Sequence, residues 1–335
     1  MALKFGILDQ SIVFPGQTAA EALHNTVKLA QLAESLGYER FWVSEHHDSL
    51  QYAGSSPEVL IAYLLAQTER IRIGSGGVML QHYSPYKVAE NFNVLASLAP
   101  GRVDLGIGRA PGGLPRSTRA LQPSADTGKL EEKLAEVEAL LLGPADDAHR
   151  LAGLKASPLP RQPADIYLLG TSVSSAELAA ERGLPYVFAL FINNDPAAAL
   201  QAFETYRRKF NGDRGTEPKS ILALSVIAAD TEEEAVELAG DLKSVRVTLA
   251  SGKTVNVGSV EQAEEFARQA GESYTSEVRS ADITKGTKET ARERILEYKE
   301  RYGVDEFIFT TVISDFDKRV HSFTLIKEAF AELAV

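Results

Sequence analysis

Along the chain, short runs of β-branched and aliphatic residues alternate with longer segments in which apolar positions recur at helical spacing. The first run, LKFGIL (3–8), is followed by Thr18-Ala-Ala-Glu21, a capping-box spacing that opens a helix ending at Leu36-Gly37. RFWVS (40–44) is the second strand, and PEVLIAYLLAQ (57–67) the second helix, with Pro57 in its first turn. IRIGSGGVML (71–80) then leads to SPYKVAENFNVLASL (84–98), and GRVDLGIG (101–108) to a helix over 130–142. DIYLLG (165–170), LPYVFAL (184–190), KSILALSVIAA (219–229) and DEFIFTTVI (305–313) complete eight strands. The helices that follow them are expected at SSAELAAERG, 196–210, 231–250, 288–302 and the C-terminus. Two segments break the alternation. Residues 143–165 read as a proline-rich excursion, and 251–285 as an irregular polar stretch of about the length of a lid.

Strands alternating with helices at this spacing imply a parallel sheet. Eight such units in 335 residues are the expected size of a (β/α)₈ TIM barrel with insertions, here one domain over 1–335. An open doubly wound sheet is the rival, and it normally has fewer units or a second domain.

Composition narrows the chemistry. The sequence has no cysteine, which removes disulfides, thiolate metal sites and thiol nucleophiles. A net charge of −11 argues against a nucleic-acid partner. The basic cluster Arg207-Arg208-Lys209 suits a helix C-terminus, and Glu232-Glu233-Glu234 a first helical turn. No window has the apolar length of a membrane span, and the N-terminus lacks a signal-peptide pattern. The expectation is a cytoplasmic protein with no membrane partner.

In a barrel, chemistry gathers where strands end. The second strand ends at Glu45-His46-His47-Asp48, using two of the six histidines. Alternation sends Glu45 and His47 one way and His46 the other, and no H-E-x-x-H spacing supports a metal site. The pair equally suits polar groups satisfied at a strand end. The third strand carries Gly74-Ser-Gly-Gly77, which either breaks the strand or offers a surface without Cβ atoms to a planar ring. GIGRAPGG is not G-x-G-x-x-G, and no P-loop lysine pattern exists. Thr171 to Ser175 precede a helix, where Ser174 and Glu177 have capping-box spacing; hydroxyls and amides there also suit a phosphate. With Arg109 at an adjoining strand end, the set points to a planar cofactor bearing phosphate.

FWVSEHH, IRIGSGGVMLQHYSPYKVAENF, GRVDLGIGRAPGG and LLGTSVSSAELAAERGLP together resemble the bacterial-luciferase-like flavin monooxygenases. The resemblance implies a (β/α)₈ barrel using reduced FMN or, in some branches, a deazaflavin. It places His46 on the family's catalytic histidine; Glu45 either orients an imidazole in catalysis or is a strand-end salt-bridge partner. It also implies a cis peptide at Gly76-Gly77 beneath the flavin, with Val78 and Met79 beside it. Arg109 and Arg119 match phosphate-binding arginines, Gly108 stands where bacterial luciferase has cysteine, and Thr171, Ser172 and Ser175 fall on the phosphate-contacting turn. The implied activity is a two-component monooxygenase: a separate flavin reductase supplies FMNH₂, which forms a hydroperoxide with O₂ and oxidises a small-molecule substrate. Hydride transfer from a deazaflavin and flavin binding without turnover are the alternatives. A homodimer is also implied, and the apolar helices 57–67 and 84–98 suit a partner's face.

Overall fold

The computed structural model of the chain describes residues 3–122, 128–143, 153–213 and 215–331. In chain order the first elements are β1 (Lys4–Asp9), α1 (Ala19–Ser35), β2 (Arg40–Val43), α2 (Pro57–Ala66), β3 (Arg72–Met79), α3 (Pro85–Leu98) and β4 (Val103–Gly108). Then come α4 (Pro115–Leu121), α5 (Leu130–Leu142), β5 (Asp165–Gly170), α6 (Val173–Glu181), β6 (Tyr186–Ala189), α7 (Pro196–Lys209) and β7 (Ser220–Ala228). They are followed by α8 (Glu232–Ala239), β8 (Lys243–Leu249), β9 (Thr254–Val257), α9 (Val260–Ala270), β10 (Tyr274–Ser280) and β11 (Thr284–Gly286). α10 (Lys288–Tyr302), β12 (Glu306–Thr310) and α11 (Phe316–Ala329) complete the chain.

Strands β1 to β7 and β12 pair in parallel, and the sheet closes through β6–β7, β7–β12 and β12–β1. This is the expected (β/α)₈ barrel. Alternation along each strand divides its residues between two cores. Leu8, Trp42, Tyr167, Val187, Ile221, Ala223 and Ile308 fill the axis, whereas Ile7, Phe41, Val43 and Phe309 meet the helices in the outer layer. Thr18 and Glu21 form the anticipated capping box on α1, with Thr18 N donating to Glu21 Oε2 at 2.7 Å. Pro57 and Pro85 open α2 and α3.

Two expectations fail. The helix expected over 231–250 stops at Ala239, because Gly240 takes φ +57 and turns the chain. Beyond it Val245, Val247 and Leu249 are buried while Arg246 is exposed, a period of two that makes β8 a strand. The stretch 251–285 is likewise ordered. β8 pairs antiparallel with β9 and β10, and Ala263, Phe266 and Ala267 of α9 close a small core on that sheet. The excursion expected over 143–165 falls partly on 144–152, outside the described residues.

The insert lies against loops that follow barrel strands. Arg116 N donates to Gln269 Oε1 (2.8 Å), Gln262 Nε2 to Gln51 Oε1 (3.1 Å), and Asn256 Nδ2 to the Ile192 carbonyl (2.9 Å). Leu114 packs into the insert's own core. The insert is therefore clipped to the loops after β2, β4 and β6, at the end of the barrel where chemistry is expected.

Candidate active site

Trp42 fixes the facing of everything that follows it. Its ring lies in the axis, so Ser44 and His46, two and four residues on, continue inward while Glu45 and His47 point behind the wall. The contacts agree. Ser44 Oγ lies 3.1 Å from His46 Nδ1, and the His46 N–H donates to the Gly54 carbonyl at 2.8 Å. The His46 ring stacks on Tyr52, centroids 4.1 Å apart and planes 15° from parallel. Burial first, then the neighbouring His47, lowers the His46 pKa to about 4, against a smaller opposing pull from Glu45. The ring is thus neutral at ordinary pH.

Glu45 is fully buried. Its Oε1 accepts from His47 Nε2 at 2.7 Å and from the Tyr83 hydroxyl at 2.8 Å, and its Oε2 from the Met79 N–H at 3.0 Å. Burial, followed by the Glu45 charge, pushes the Tyr83 phenol far up, so it stays a donor. The His47 ring meets His82 edge-on at 5.8 Å, and His82 Nε2 donates to the Pro111 carbonyl at 2.7 Å. The imidazole that Glu45 orients is therefore His47, not His46.

Next to β2, the Gly76–Gly77 peptide is cis, and the β3–β4 register slips there between Gly76 and Val78. The glycines answer to packing. A Cβ on Gly76 would meet Leu8 Cδ1 at 2.8 Å and Trp42 Cε3 at 3.1 Å, and one on Gly77 would meet the Gly106 carbonyl oxygen at 2.7 Å. Val78 is buried and Met79 half-buried, and Met79 pairs with Gly108, where a Cβ would lie 3.4 Å from the thioether. Arg109 follows at the end of β4, exposed and without a hydrogen bond or ion pair among the described residues.

The turn after β5 differs in detail from the sequence reading. Ser172, not Ser174, caps α6, and Ser175 occupies the third helical position of the capping box. Ser175 Oγ donates to the Ser172 carbonyl (2.7 Å) and meets the Tyr186 hydroxyl (2.9 Å), so it is turned into the fold. A Cβ on Gly170 would fall 2.0 Å from that oxygen, which is why glycine precedes the turn. Thr171 is held through its carbonyl by Asn193 Nδ2 at 2.8 Å, and Ser172 remains exposed.

The neighbouring ends of β2, β3, β4 and β5 thus gather His46, Gly76 to Met79, Gly108, Arg109 and the 171–175 turn on one rim. Arg119 stands apart: its Nη1 donates to the Gln269 carbonyl at 3.1 Å, tying α4 to the insert. Tyr52, Ser44, Tyr83 and His82 were not anticipated. Ser44 had a signal, lying two residues before His46 on the same face, but the others reach the site only through the fold. No group of three or more potential metal ligands occurs among the described residues.

A flavin nucleotide fits this donor set. An arginine with no partner among the described residues and the N-terminal amides of α6 suit its phosphate, and a neutral imidazole follows the strand that pairs with the bulged β3, where Gly76 is half-buried.

The sequence matches the family described as luciferase-like monooxygenase over residues 3–306. It is 44% identical over 331 residues to the N-acetyl-S-alkylcysteine monooxygenase of Bacillus subtilis (strain 168), covering 98% of each chain. The structure superposes on apo-MsnO8 with a TM-score of 0.80 at 32% identity, again over 98% of both chains. The oxygenating constituent of 3,6-diketocamphane monooxygenase from Pseudomonas putida, solved with FMN, shares the fold at a TM-score of 0.72 and 20% identity. That match covers 99% of this chain and 98% of the other.

Proposed function

The chain belongs to the luciferase-like monooxygenase family, and on that premise we propose that it is a two-component monooxygenase acting on a small organic molecule. A separate flavin reductase would supply reduced FMN, whose electrons activate O₂ so that one oxygen atom enters the substrate and the other leaves as water. The observation that carries this reading is His46: a neutral imidazole just past the end of β2, the strand paired with β3 and its Gly76–Gly77 bulge. Its Nδ1 is taken by Ser44, which leaves Nε2 to accept or release a proton at the reacting centre.

Arg109, Ser172 and the α6 amides would hold the FMN phosphate, with Thr171 and Ser175 shaping that turn. Gly76, Gly77, Val78, Met79 and Gly108 would line the ring. The clipped insert over 243–280 would keep water from the site. The similarity to the B. subtilis enzyme makes N-acetyl-S-alkylcysteines the first substrates to assay. Val59, Tyr63, Val94 and Leu98 on α2 and α3 are exposed apolar side chains, and we assign that face to a second copy of the chain.

His46→Ala tests the reading. Turnover of N-acetyl-S-methylcysteine with a flavin reductase, FMN and O₂ should fall about 10²–10⁴-fold, the usual share of a proton-transferring group. FMN binding should persist. Full activity in that variant removes the role of His46. Activity only with a reduced deazaflavin, and independent of O₂, would replace oxygenation by hydride transfer.

A further inference from the structure

We propose that Glu45 and His47 form a strut behind the barrel wall that joins the two halves of the flavin cradle, and that neither is a catalytic residue. This rests on the functional reading above and assigns the half of the histidine pair that reading leaves unused. The Glu45 carboxylate grips β3 just past the bulge through the Met79 N–H and grips the start of α3 through Tyr83. His47 donates to Glu45 from below and carries the loop after β4 on its other side. Its backbone N–H donates to the Gly112 carbonyl at 2.8 Å. Its ring packs so closely that a Cβ on Gly112 would lie 3.3 Å from His47 Cδ2. Gly112 also takes φ +64, a backbone conformation that favours glycine. His82 supports the same loop at Pro111.

Arg109 stands two residues before Pro111, on a loop held by the His47 backbone N–H at Gly112 and by the His82 side chain at Pro111. Glu45 and His47, together with His82, thus tie that loop to the strand that carries the bulge. Both residues are positioning residues: one end of the strut fixes where the ring rests, the other where the phosphate is met. A carboxylate with donors on both oxygens in a buried site has little freedom to shift, which is what such a strut requires.

A riboflavin control separates this role from general damage, because riboflavin has the ring and lacks the phosphate. Dithionite-reduced FMN and riboflavin are titrated without oxygen, read by fluorescence of Trp42, the sole tryptophan, which lies under Gly76. The wild type should prefer FMN. His47→Ala should lose on the order of tenfold in FMN affinity, the scale at which outer-layer partners act on a bound group, with riboflavin affinity changed less than about twofold. His47→Gln, which keeps a donor toward Glu45, should recover most of the preference. Tyr83→Phe should weaken it by a smaller factor, and it carries the same comparison if His47→Ala does not fold. An unchanged FMN-to-riboflavin ratio in both variants overturns the strut, and so does a parallel loss of both ligands. Failure of the wild type to bind either flavin overturns the functional reading itself, and the strut with it.

Discussion

The two ends of the barrel both concentrate polar side chains, and they differ in what is left without a partner. At the N-terminal end, Arg40 lies between Asp104 and Glu306, Arg72 joins Asp104 to Asp165, and Lys219 reaches Glu306. The Arg40 guanidinium also lies 4.9 Å from the Tyr167 ring centroid. Burial alone would raise the Glu306 carboxyl, but the Arg40 and Lys219 charges hold it below its usual range. Each of these charges has its counter-charge, and the network is closed on itself. At the C-terminal end the His46 imidazole is neutral and Arg109 has no ion pair among the described residues. Charges that are satisfied internally serve the fold, and those left unsatisfied are available to a ligand.

The largest expected effect comes from breaking the closed network. Arg40→Met leaves Asp104 and Glu306 buried without their shared partner, and denaturant unfolding should show a loss of about 3–5 kcal/mol. His46→Ala at the open end should leave stability far closer to wild type, and comparable losses in the two variants would break the contrast. An intermediate effect is pH-dependent. The folded His46 pKa, about 4, lies below the unfolded value near 6.5. Between these values the unfolded chain binds a proton that the folded chain does not, so stability should fall as pH drops from 6.5 toward 4. Above 6.5 the contribution is constant. His46→Asn should flatten part of that decline in unfolding curves measured across the range. The smallest effect is local. Ser172→Ala removes the α6 cap, and should cost about 1 kcal/mol in thermal or denaturant unfolding. A change well beyond that would mean the turn does more than cap its helix.

Much of the barrel was legible because the strand runs are long and their helices carry caps: Thr18 with Glu21, and Pro57 and Pro85 at helix starts. The insert was misread because its apolar content is thin. The run Val245, Val247, Leu249 alternates within a strand of only seven residues, and it follows a true helix without a proline to mark the break. The α6 cap was misplaced by two residues because Ser172, Ser174 and Ser175 offer competing hydroxyls. The preceding Gly170, which admits the Ser175 side chain, decides between them.

The histidine pair shows where local information ends. By itself the sequence determined that His46 and His47 lie on opposite faces, since a strand alternates with period two whatever surrounds it. It also determined that glycines cluster on β3 and that an arginine follows β4. Which face is the inside was a property of the closed barrel: Trp42 fills the axis, so His46 opens on the mouth and His47 joins Glu45 behind the wall. The partners that make the site specific, Tyr52 on His46 and Tyr83 on Glu45, come from other loops and were decided only by tertiary contact. Periodicity is a local consequence of backbone geometry, whereas inside and outside exist only once the sheet has closed.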